Sequence, residues 1–108
     1  MNVKRKTLLQ QFETEYSKSS HYLKVSKCIA LSRFKKIIKY ITTLNYTEIA
    51  VEITYDGLFL FNIYFDNNYR ALVSPTEFFS LWKNKVIIMA KYVKIKESVR
   101  FIKREIVK

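Results

Sequence analysis

Glycine, proline, cysteine, tryptophan and histidine each occur once in the 108 residues, and these scarcities exclude most site chemistries. A single glycine leaves no glycine-rich loop to cradle a phosphate. Cys28 has no second cysteine with which to form a disulfide or bind zinc; among helix-forming apolar residues it reads as buried packing rather than a nucleophile. His21 is the one residue around which a Ser-His-Asp arrangement could be built, nothing accompanies it, and it reads as a surface or cap residue. Glu48 and Glu52 share a strand face but lie about 13 Å apart by strand rise, too far for one metal or an acid–base pair. Asp56, Asp66 and Asn67 read as turn formers. No catalytic residue, metal ligand or cofactor is therefore expected, and the chain reads as non-enzymatic. The longest apolar runs, Leu58–Phe61 and Val86–Ala90, fall far short of the about 20 residues that span a membrane. Lys4-Arg5-Lys6 runs into Thr7-Leu8-Leu9-Gln10-Gln11 rather than a signal-peptide core, so the expectation is a soluble, cytoplasmic protein without membrane partners.

What the chain does have is apolar content and positive charge. At 49% apolar it can build one core, so residues 1–108 are read as a single domain and disorder is excluded. Phe, Tyr, Met, Ile, Asn and Lys account for 51 of the 108 residues. These residues have A/T-rich codons, as expected of a low-GC bacterium, its mobile elements or a phage. The net charge of +11 is segregated. Residues 1–44 carry ten basic and two acidic side chains, residues 45–82 only Arg70 against five acids, and residues 83–108 nine basic and two acidic. Compositional drift would spread lysine evenly; two basic flanks around an acidic middle point to a directed field.

The middle reads as strands. Glu48 to Tyr55 alternates strictly, Asp56-Gly57 suits a type I′ hairpin turn, Leu58 to Phe65 is apolar on both faces, and Asp66-Asn67-Asn68 turns into a third strand, Tyr69 to Val73. Before it, Leu8, Leu9, Phe12 and Tyr16 share one helical face, Ser17–Ser20 breaks the pattern, and a second helix from about Val25 to Leu44 stops at Asn45. After it, Ser74-Pro75-Thr76-Glu77 has the form of a capping box with proline at the first helical position. From Phe78 to Ile106 a 3,4 spacing then predicts one long C-terminal helix over 75–107, about 50 Å in length, with Lys83-Asn84-Lys85 as its weakest point. The expected fold is α+β: two N-terminal helices, a three-stranded antiparallel meander and the long helix, in the order α-α-β-β-β-α.

One succession has a known counterpart. A helix with outward Lys35, Lys36 and Lys39 ends at Leu44-Asn45-Tyr46-Thr47-Glu48-Ile49, and two strands joined by Asp56-Gly57 follow. Over residues 5–65 this resembles the winged-helix DNA-binding family, where a recognition helix leads through a Leu-Gly-Tyr-Ile type of loop into a β-hairpin wing. Asn45 stands where that family has glycine, the hairpin is more apolar than an exposed wing, and its tip, Asp56, is acidic. The resemblance implies that the helix bearing Ser32, Arg33, Lys35, Lys36, Lys39 and Thr43 meets DNA, with Arg33 reaching a base edge. A plain sandwich with helices on both sheet faces accounts for the apolar second strand equally well.

The expected function is non-enzymatic nucleic-acid binding, DNA rather than RNA, as a regulator or replication accessory of a mobile element or phage. The phosphate contacts would come from Lys4, Arg5, Lys6, Lys27, Arg33, Lys35, Lys36 and Lys39 in the first flank, and from Lys91, Lys94, Arg100, Lys103 and Arg104 in the second. Tyr40, Tyr46, Tyr69 and Tyr92 could stack on single-stranded bases or form the rim of the core. A homodimer is expected on the far half of the long helix through Ile88, Tyr92, Ile95, Val99, Ile102 and Ile106, because a roughly 27 Å strand cannot cover a helix of about 50 Å. The alternative is a protein-binding module, an inhibitor or accessory subunit of a larger replication or defence enzyme.

Overall fold

The computed structural model describes residues 3–74 and 76–106. Three helices, α1 (Val3–Ser19), α2 (Lys27–Ile41) and α3 (Ile95–Ile106), accompany five strands, β1 (Glu48–Ile53), β2 (Phe59–Tyr64), β3 (Tyr69–Val73), β4 (Phe78–Lys83) and β5 (Val86–Tyr92). The strands run in sequence order, every neighbour antiparallel. The fold is α+β, but the meander has five strands, not three, and the helix expected over 75–107 shrinks to α3.

Local chemistry explains the correction. Ser74 does not cap a helix: its hydroxyl meets that of Thr76 at 2.9 Å, and its N–H donates to the Phe78 carbonyl at 2.8 Å, closing a hairpin. Glu77, expected to complete a capping box, takes φ +62, the left-handed position that ends such a loop. Asn84 and Lys85 both have positive φ (51° and 68°), the requirement of a two-residue type I′ turn, and Lys83 pairs with Val86 across it. The segments around that turn are rich in Phe, Trp and β-branched residues, which favour a pleated surface over a helix. Two smaller expectations also change. Gly57 alone in its turn has positive φ (+76), so the β1–β2 connection is a three-residue loop rather than type I′. A Cβ at Gly57 would lie 2.2 Å from Val25 Cγ2, so the position also needs glycine for space. Helix α2 starts at Ser26, whose side chain accepts from the Ile29 N–H, and ends through right-handed Thr42 rather than a left-handed Asn45.

All three helices lie on one face of the sheet; the expectation of helices on both faces is overturned. Phe12 of α1 and Phe34 of α2 meet Phe59 at ring separations of 6.0 and 4.9 Å, and Phe101 of α3 stacks on Phe79 at 6.3 Å. Register places Val51, Phe61, Val73 and Phe79 in one inward row, with Ile63, Ala71 and Leu81 beside it. Leu8, Ile38, Ile41, Val99 and Ile102 close the core from above, each 5% exposed or less. No described element covers the other face, which carries Leu60, Asn62, Tyr64, Arg70, Leu72, Phe78, Trp82 and Tyr92.

Candidate nucleic-acid interface

The helix layer carries the charge. Two shallow concavities, of about 600 and 480 Å³, adjoin along α1 and α2, and Leu31 and Lys35 line both. Together they bring Arg5 and Lys6 of α1 beside Lys35, Lys36 and Lys39 of α2. The spacing is helical: Ser32, Lys35, Lys36 and Lys39 recur at intervals of three and four, the side of α2 opposite buried Ala30, Phe34, Ile38 and Ile41. The one carboxylate on this surface, Glu13, is held by Lys27 at 2.6 Å. Among the described residues Lys6, Lys35 and Lys36 have no carboxylate partner.

Several of the other expected phosphate ligands make contacts within the fold. Lys4 donates to the Leu44 carbonyl and lies 5.1 Å from the Tyr46 ring, tying α1 to the end of α2. Burial raises the Tyr46 phenol above its ordinary value of 10.0. Lys27 also lies over Tyr16. Arg33, half-buried, is tied to the fold: its Nη1 donates to the carbonyls of Asp56 and Gly57, at 3.1 and 3.4 Å, fastening the β1–β2 turn to α2. On α3, Arg100 pairs with Glu97 at 3.2 Å, Arg104 lies 5.8 Å from the Phe101 ring and Lys103 is exposed; Lys91 of β5 lies 4.9 Å from the same ring, and Lys94, just before α3, is exposed. Cys28 is exposed at the edge of the α2 concavity, not buried as its neighbours suggested.

The residues of the expected dimer seam divide between two places. Val99 and Ile102 belong to the protein's own core, with Ile95 and Ile106 packed against it, whereas Ile88 and Tyr92 stand on β5, 45% and 82% exposed. Of the tyrosines considered for stacking, Tyr40, Tyr46 and Tyr69 are half-buried against the core and Tyr92 is exposed.

The open face holds a group that charge counting overlooks. Register aligns Tyr64, Arg70 and Trp82 side by side on three adjacent strands. Arg70 donates twice to Asn62 Oδ1, at 2.9 and 3.3 Å, and its guanidinium lies 5.6 Å from the Trp82 ring. A cation surrounded in sequence by five acids thus pairs with none of them among the described residues.

Among the described residues no three His, Cys, Asp or Glu side chains gather to hold a metal ion, and no helix is long and apolar enough to cross a membrane. The helix–loop–hairpin succession that resembles the winged-helix pattern corresponds to α2, β1 and β2, with three further strands continuing the hairpin. No family model, curated protein or solved structure matches the chain.

Proposed function

We propose that this protein binds nucleic acid through phosphate contacts from the helix layer, without catalysing a reaction. The observation that carries the reading is the convergence of Arg5, Lys6, Lys35, Lys36 and Lys39 on one continuous surface whose single acid is already paired. Duplex DNA is favoured over RNA because the wide grooves of B-form DNA accept a helix, whereas the deep, narrow major groove of A-form RNA does not. With Arg33 Nη1 engaged by the β1–β2 turn, the surface is mostly lysine, which meets phosphate as a point charge rather than reading a base edge. Binding is then largely indifferent to sequence, which suits a replication accessory better than a site-specific regulator.

The test is a salt titration with a labelled duplex. Five phosphate contacts give a log–log slope of about −4.5. Replacing Lys35, Lys36 and Lys39 together by alanine lowers the slope by about 2.7, on the same counterion-release relation. Alanine is the best helix former, so α2 is retained. A slope that the triple substitution leaves unchanged contradicts this interface.

A second reading rests on β5. This edge strand exposes Val86, Ile87, Ile88 and Tyr92, between 45% and 82% of each, and among the described residues its outer edge has no neighbouring strand. An unprotected apolar edge is a template for another chain, which favours a protein-binding module or self-association through β5 rather than through α3. Light scattering on wild type and Ile88→Asp tests the self-association; a wild-type monomer at every salt concentration rules that part out.

A further inference from the structure

A concavity of about 630 Å³ lies away from the basic helices, at the end of the sheet where the β2–β3 and β4–β5 turns come together. The turns are joined by two hydrogen bonds, Asn84 N–H to the Asn68 carbonyl and Asn68 Nδ2 to Asn84 Oδ1, both 3.1 Å. The four positive-φ residues that shape them, Asn67, Asn68, Asn84 and Lys85, gather at this end of the sheet, and three of them line the cavity. Its lining includes the aromatic residues Tyr64, Phe65, Tyr69 and Trp82, of which Tyr64 and Trp82 stand on the open face with Arg70, and the two cations Arg70 and Lys85.

We infer that this cavity binds a nucleotide, a planar base with its phosphate, either as an unpaired unit of a nucleic-acid strand or free. Trp82 and Tyr64 supply the ring faces on which a base of any identity can stack. Arg70 supplies the anion site: the bonds from Nε and Nη2 to Asn62 fix its plane, leaving Nη1 to donate to a phosphate oxygen. Lys85, exposed on the turn, adds a second positive charge at the mouth. The Asn68–Asn84 bond uses one amide donor and one amide acceptor, leaving Asn68 Oδ1 and the Asn84 amide N–H groups to meet a base edge. The nearest acidic side chain on the same cross-strand row, Glu48, stands two strands from Arg70, about 10 Å away. At that distance its repulsion is largely screened at ordinary ionic strength.

The inference deepens the nucleic-acid reading but uses a different surface, so the two are separable. Trp82 is the only tryptophan, and its fluorescence reports occupancy of this cavity directly. The experiment titrates the full chain with an unlabelled oligothymidylate and, separately, with thymidine monophosphate, following Trp82 emission, while duplex affinity is measured by anisotropy. Saturable quenching by the oligomer alone assigns the site to unpaired strand; quenching by both assigns it to any nucleotide. In either case Arg70→Gln weakens the quenching titration at least tenfold and Lys85→Asn about threefold, with duplex affinity unchanged in both variants. Asn suits the positive φ of position 85, so that variant keeps the turn if Arg70→Gln disturbs the sheet. Absence of saturable quenching with both probes overturns the inference, as does quenching that neither substitution weakens. Loss of duplex binding with quenching intact would count against the helix interface and not against this cavity.

Discussion

The two faces of the sheet have been built from different residues. One carries Val51, Phe61, Ile63, Ala71, Val73, Phe79 and Leu81 beneath three helices whose outer surface holds most of the basic side chains. The other carries Tyr64, Arg70, Leu72, Phe78, Trp82 and Tyr92, with no helix above them and few charges of either sign. Alternation along a strand allows this, since neighbouring residues answer to different surroundings. The apolar second strand therefore has two causes: Phe59, Phe61 and Ile63 are core, while Leu60 and Tyr64 belong to a surface with its own chemistry. The +11 charge is concentrated by the fold on the helix side, leaving the sheet side suited to stacking and apolar contact.

The largest expected effect comes from putting the same substitution on each side. Ile102→Asp places a carboxylate in the core, where its desolvation has no compensating partner; a loss of about 4 kcal/mol or more is expected, enough to unfold a marginally stable domain. Ile88→Asp, on the open side of β5, should change unfolding free energy by no more than about 0.5 kcal/mol. Urea denaturation followed by circular dichroism measures both, and equal losses would mean that the open face is covered in solution.

An intermediate effect is expected where the β1–β2 turn is clamped to the helix layer. Gly57→Ala meets both a positive φ and the Val25 methyl, and should cost about 2 kcal/mol in the same denaturation experiment. Adding Val25→Ala should return part of that by relieving the contact, leaving the backbone strain. No recovery would place the whole cost in the backbone.

The smallest effect is alkaline. Burial raises the folded-state pKa of Tyr46 above the ordinary 10.0, so the folded protein holds this proton more tightly than the unfolded chain does. That contribution is fully present below about pH 10 and is lost as pH rises through the folded value. Tyr46→Phe should flatten the decline of melting temperature above pH 10; an unchanged decline would remove Tyr46 as its source.

How much of this was legible in the sequence depends on whether the signal was local. Strands β1 to β3 could be read because alternation and turn residues at 56–57 and 66–68 agree. Strands β4 and β5 could not, because Ser74 to Glu77 has the form of a capping box and Phe78 to Tyr92 happens to fit a 3,4 spacing. The contrary local signals were the weak point at Lys83-Asn84-Lys85 and the Val86-Ile87-Ile88 run, outweighed by the unbroken 3,4 spacing; Lys85 is an unusual residue for the positive φ it adopts. At the candidate interface, Lys35, Lys36 and Lys39 follow from helical spacing alone. That Lys4, Lys27 and Arg33 are occupied by Leu44, Glu13 and the β1–β2 turn follows only from the tertiary structure. Arg70 was visible as a lone cation in an acidic segment; its alignment with Tyr64 and Trp82 depends on strand register.

The division of labour between the two faces is tested most directly by lysine reactivity. The protein is labelled with an amine-specific reagent, with and without a saturating DNA duplex at low salt, and each site is quantified by mass spectrometry. Duplex should protect Lys6, Lys35, Lys36 and Lys39 severalfold and leave Lys85, on the β4–β5 turn, as reactive as before. Protection of Lys85 with Lys35, Lys36 and Lys39 unchanged would put the duplex on the sheet side and contradict the account.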